Sequence, residues 1–313
     1  MSCLVLSAAV CAVTGATDPE PAVVHEWGVV RYAEGTVLAT GSPGWSQYGS
    51  VCVDAPVIMF HGAPFTGDVT VCSTGRITSI YPEPDVSGGP MLGLDGAGLG
   101  SMARWEGLSV SPSSPDDSSD DIPVDRDRAA ALDFYWAMDG WRLPGSSTVF
   151  RAGDSFSDSF LYYEVDLSGQ GFPVPLESLR PEGTPREELA EEMLLFVRDE
   201  YGTVVLSHGG TDGIVAEDET ILAPTDSRGS GDAIETVARW AGDHLTDEEI
   251  RSMWITWEPY ILYGDWQGST LAVFPIPDPL VERISMIIVA PDGDVPVTVS
   301  RFFLGVMPMP AAD

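Results

Sequence analysis

A histidine beside a carboxylate is a combination that hydrolytic and metal centres use. The chain offers one early, His25–Glu26 within VVHEWGVVRY, residues 23–32. A zinc-protease helix needs His-Glu-x-x-His, so that two histidines one turn apart face one ion. Here the fifth position is Val29, and that motif is absent. The flanking valines read as a strand, in which neighbouring side chains point to opposite faces. His25, Trp27 and Val29 then share one face, and Glu26 and Val30 the other. Without a bulge, His25 and Glu26 cannot ligate one ion together. The structural reading gives a hydrogen-bonded histidine beside a packed tryptophan, with Glu26 paired to an arginine. The catalytic reading needs folding to bring His25, Glu26 and His61 together.

Other stretches invite weaker readings. GDSFSDS, residues 153–159, matches the nucleophile block of GDS-type lipases and esterases, with Ser155 as the attacking group. Those enzymes also need an Asp-x-x-His pair, but Ile58, Val205 and Ala241 stand three residues before His61, His208 and His244. The block is therefore read as coincidence. Asp116, Asp117, Asp120, Asp121, Asp125 and Asp127 crowd one loop and can supply oxygens to Ca2+, though without EF-hand spacing. A solvated acidic surface is the competing account. SHGGTDG, around His208 and Asp212, reads as a turn-rich loop. No phosphate-cradling or dinucleotide glycine motif occurs.

The elements that must position these groups are mostly strands. Short β-branched and aromatic runs bounded by Gly, Pro, Asp and Ser recur through the first half: PVIMFHG, GDVTVC, GRITSIYPEPD, STVFRAG and DSFLYYEVDL. The second half is mixed. MLLFVRDEYGTVVLSHGG reads as a hairpin turning near Tyr201–Gly202, and Ile234, Val237 and Ala241 fall at helical spacing. LTDEEIRSMWITW carries the clearest local signal. Thr246 caps a helix while Glu249 reaches back in a capping box, and Leu245 staples to Ile250. Ile250, Met253, Trp254 and Trp257 then form one buried face. STLAVFPIP, RISMIIVAP and VPVTVSRFFLGV close the chain as strands. The expected fold is mainly β, β-sandwich-like, with a C-terminal α+β segment. Its divisions are residues 1–16, 17–170 and 171–313, the last two able to pack as one body.

Composition bounds the partners. The 313 residues carry 48 acidic against 15 basic side chains, a formal charge of -33, and every basic residue is arginine. Such a field repels nucleic-acid phosphates and anionic membrane surfaces. Residues 1–16 are apolar and small, and Leu4 to Val13 has the length of a signal-peptide core, too short to span a bilayer. Export follows as the expected localisation, to the periplasm, cell surface or medium. Cys11 offers a lipidation position, against which Val10 argues. No later stretch reads as transmembrane. In an exported chain Cys52 and Cys72, flanking two strands around a Gly/Pro turn, read as a disulfide.

The motifs also come in a recognisable order: His25-Glu26-Trp27-Gly28, APVIMFHGAPFTGDVTVCSTGRITSIYPEPD, WEGLSV, DSFLYYEV and MWITWEPYILYGDW. This series resembles a group of predicted exported bacterial proteins that open with His-Glu-Trp-Gly-Thr and end with a tryptophan-bearing helix before terminal strands. The resemblance spans roughly residues 24 to 305. Val29 departs from the usual threonine, and His61 stands where tyrosine is common. It implies export and a shared β-rich fold and supplies no catalytic residues. The leading expectation is a non-catalytic envelope or extracellular protein, structural or binding a glycan, a protein partner or Ca2+, with no other cofactor. The alternative is a secreted hydrolase built around His25–Glu26.

Overall fold

The structure is a computed structural model that describes residues 20–32, 51–92, 99–113, 134–153, 156–168, 172–176, 185–198, 204–210, 227–228, 230–264, 266 and 270–309. Fifteen strands among these form two sheets. They are β1 (Ala22–Tyr32), β2 (Val51–Gly62), β3 (Phe65–Ser73), β4 (Arg76–Tyr81), β5 (Val86–Leu92), β6 (Leu99–Pro112), β7 (Ser147–Arg151), β8 (Phe156–Asp158) and β9 (Phe160–Asp166). After these come β10 (Glu192–Arg198), β11 (Val204–Gly210), β12 (Ser227–Arg228), β13 (Thr270–Pro275), β14 (Ser285–Pro291) and β15 (Val297–Met309). The α-helices are α1 (Ser230–Ala241), α2 (Asp247–Tyr263) and α3 (Asp278–Ile284). The mainly β fold with helices near the C-terminus is thus the one the patterning predicts. None of the helices is long and apolar enough to cross a membrane.

The first sheet runs β12-β11-β10-β13-β15-β1-β2-β9-β4, and the second β14-β3-β6-β7-β8, with β5 also on β6. All pairs are antiparallel except β1 with β15, where the opening strand lies parallel to the closing one. The expected hairpin is present as β10 and β11. One continuous apolar core joins the sheets and helices.

β1 lies inside the first sheet, and both its faces are covered. One face looks toward the second sheet. There Phe60 of β2 meets Phe65 of β3, and Tyr163 of β9 bonds Ser285 of β14. On the other face Trp27 packs edge-on against Trp141, in the 3-10 turn Tyr135–Trp141. Trp141 Nε1 donates to Thr256 Oγ1 of α2 at 2.9 Å, docking that helix over the same face. Being covered on both sides explains why β1 is buried at almost every position rather than at alternate ones.

Gly28 lies within β1 where the neighbouring strands come close. A Cβ there would stand 2.7 Å from the Phe303 ring of β15 and 3.2 Å from the backbone of Pro56. Pro56 lies in a bulge of β2, where three steps from Val57 to Asp54 oppose two from Trp27 to Val29. Ala55, at φ 49°, absorbs the extra residue.

The expected disulfide is not formed: Cys52 and Cys72 are not bonded to each other. The strands around the Gly/Pro turn do not pair with one another. β2 joins β1 and β9 in the first sheet, whereas β3 joins β6 and β14 in the second. The connection changes sheets, so Cys52 and Cys72 do not stand opposite each other across one hairpin, as the cross-strand bridge would require.

Candidate metal centre

The strand assignment sends His25 and Glu26 to opposite faces, as period-two geometry requires. Glu26 is fully buried on the face toward the second sheet. Its Oε2 accepts from Arg301 Nε at 2.5 Å and its Oε1 from the Tyr163 hydroxyl at 2.5 Å. Arg301 also donates to the Ser285 carbonyl and hydroxyl. This is the arginine-paired carboxylate of the structural reading. Burial, and secondarily the Glu26 charge, hold the Tyr163 hydroxyl well above its ordinary pKa, so it remains a donor.

His25 finds a different carboxylate. Its Nδ1 lies 2.7 Å from Glu249 Oε2, and His61 Nε2 lies 2.9 Å from Glu249 Oε1. His25 and His61 come from adjacent strands: His25 opposes Met59, and His61 opposes Val23, which sets the histidines diagonally on one face. Their rings stand 4.8 Å apart. Glu249 descends on them from the first turn of α2. Thr246 caps that helix, its Oγ1 accepting from Glu249 N while Glu249 Oε2 accepts from Thr246 N at 2.7 Å. The capping box therefore does two jobs. It starts the helix, and it fixes the carboxylate over the histidine pair.

The electrostatics follow from burial and partners. The Glu249 side chain is wholly buried, while His25 and His61 keep 11% and 18% exposure. Burial alone would raise the Glu249 pKa. The hydrogen bonds from His25 and His61, the His25 charge and the Thr246 amide outweigh it and bring the value to about 2. For His61, burial pulls down, but the Glu249 bond and charge and a bond to the Gly145 backbone together raise it. An ionised carboxylate only accepts, so in the metal-free cluster both histidines present N–H groups to it.

Those same three atoms suit a metal. His25, His61 and Glu249 each offer one ligand atom, and all lie within 4.8 Å of one another. In a tetrahedral zinc site, ligands about 2.0–2.1 Å from the ion stand roughly 3.3 Å apart. Opening the two histidine–carboxylate contacts by about half an ångström, drawing the two imidazole nitrogens together, and losing the protons between them would form the site. Two imidazoles with one carboxylate form a borderline set that suits Zn2+ or Fe2+ and is poor for Ca2+, which takes six to eight oxygens.

Of the residues singled out in the sequence, His25 and His61 meet and Glu26 does not join them. Glu249 enters instead, and sequence reasoning missed it as a site residue because the capping box already accounted for it. His244 lies nearby, its Nδ1 3.1 Å from Ser300 Oγ. Asp116, Asp117, Asp120, Asp121, Asp125, Asp127, Ser155, Asp212, Cys11 and residues 1–16 lie outside the described residues, as does the His208 side chain. Comparison of the chain with protein-family models, curated proteins and solved structures returns no match.

Proposed function

We propose that this is an exported binding protein for a divalent transition metal, zinc foremost, held by His25, His61 and Glu249. The observation that carries the reading is the convergence of two imidazole nitrogens and a fully buried carboxylate from three elements far apart in the chain. A helix cap needs no histidine, and a buried glutamate can be satisfied without one, as Glu26 is by Arg301 and Tyr163. Two partly exposed histidines on one carboxylate leave a short path from water to the ligand atoms. Export is supported by the apolar stretch Leu4–Val13. Among the binding classes the composition allows, the nitrogen donors favour a transition metal over Ca2+.

A second reading, a secreted metal-dependent hydrolase, is favoured by one feature. Three protein ligands leave a coordination position where water can bind and lose a proton.

The test is metal content of the purified protein by mass spectrometry, followed by zinc titration calorimetry on wild type and on His25→Ala and His61→Ala. One zinc per chain, with affinity falling about 100-fold or more in either variant, is expected. Wild-type protein that takes up no stoichiometric zinc, and melts identically with zinc and with EDTA, would overturn the proposal.

A further inference from the structure

His244 is held by one hydrogen bond on β15, the strand next to the one that carries His25. Its Nδ1 bonds Ser300 Oγ at 3.1 Å. Ser300 is in turn the register partner of His25 across the parallel β1–β15 pair, so both side chains rise from the same face. One interstrand spacing, about 5 Å, separates the two strands. His244 also belongs to the turn Gly242–His244 that leads through the Thr246 cap into α2, five residues ahead of Glu249. The chain has four histidines in 313 residues, and three of them gather at this one part of the sheet. A cleft of about 270 Å³ borders His244 and Ser300 on the side of α3 and β14, where Asp278, Glu282, Met286 and Arg301 line it.

We infer that His244 is the exchangeable fourth ligand of the metal centre. It rests on Ser300 when the centre is empty and turns to the ion when the centre is loaded, completing three nitrogens and one oxygen. This inference rests on the metal reading above and sharpens it. Four protein ligands close a zinc site and leave no place for a reactive water, whereas three leave it open. With His244 on the ion the protein sequesters metal; with His244 absent the position falls to water.

The experiment uses the full chain loaded with Co2+ in place of Zn2+, because the visible absorption of Co2+ reports coordination number and donor type. Wild type, His244→Ala, His244→Gln and His25→Ala are compared, with circular dichroism to confirm that each is folded. Wild type should give the intense bands of a four-coordinate site. Both His244 variants should lose about 10- to 100-fold in zinc affinity, with weakened and shifted cobalt bands. Added imidazole should restore the wild-type spectrum in His244→Ala, which a merely structural role for His244 would not produce. If the folded His244 variants keep wild-type affinity and spectrum while His25→Ala loses both, His244 is a bystander and the inference fails alone. If wild type binds neither ion, or His25→Ala binds as wild type does, the metal reading fails and takes this one with it.

Discussion

Two buried glutamates lie on opposite sides of one strand, and they differ in the cations that hold them. Glu26 faces the second sheet and is gripped by Arg301, Tyr163 and, through them, Ser285. Glu249 faces the helical side and is gripped by His25, His61 and the Thr246 amide. Arginine stays charged at any working pH, offers no lone pair and cannot ligate a metal. Histidine can lose its proton near neutrality and then presents a donor atom. The Glu26 cluster is therefore a permanent pin between the sheets and β1. The Glu249 cluster can trade protons for an ion. Adjacent residues of a single strand thus serve a fixed contact and an exchangeable one.

Breaking the pin should have the largest effect. Arg301→Met leaves Glu26 buried without its cation, and we expect a loss of about 3–5 kcal/mol in urea unfolding. Zinc affinity of the remaining folded protein should be unchanged. A parallel loss of affinity would show that the two faces are not independent. Glu249→Gln comes next. It keeps a side-chain oxygen near the cap but removes the charge, costing about 2–3 kcal/mol of metal-free stability. Zinc binding should vanish in the same variant, and calorimetry showing near-normal affinity would remove Glu249 from the centre.

The pH dependence of metal-free stability sharpens the comparison further. Glu249 titrates at 4.5 when unconstrained and at about 2 in the fold. Its contribution is complete above 4.5 and is lost as pH falls through the folded value. His61 titrates at 6.5 when unconstrained and higher in the fold. Its contribution is complete below 6.5 and is lost as pH rises through the folded value. The cluster therefore supports the metal-free protein best between about pH 4.5 and 6.5, from the shifts just given. Thermal melts across pH should show that maximum, and excess zinc should move it upward, because zinc takes the deprotonated rings. A His61→Gln variant in EDTA should lose the decline above 6.5; a profile identical to wild type would detach that decline from His61. The smallest effect concerns the thiols. Because Cys52 and Cys72 are unlinked, a reductant should leave the melting temperature unchanged, and a drop of several degrees would reveal a disulfide after all.

Much of this could be read one element at a time. The period of two separated His25 from Glu26, and the capping box with its apolar face located α2 from Thr246 onward. Both signals are local, reaching across one strand step or one helical turn, where the sequence spacing is the geometry. The cysteine pair shows where such reading stops. Nearness along the chain suggested a bridge, but the turn between β2 and β3 passes from one sheet to the other.

The sequence by itself therefore determined the strand-rich patterning, the faces of β1, the start of α2 and the strongly acidic surface. Only the tertiary structure decided which carboxylate each histidine meets. Glu249 lies 224 residues from His25 and 188 from His61. No periodicity spans that separation. What brings them together is the docking of α2 on Trp141 over the sheet, and the antiparallel pairing of β1 with β2. Burying the apolar faces of these elements sets their positions, and the candidate metal centre follows from where that burial leaves their polar ends.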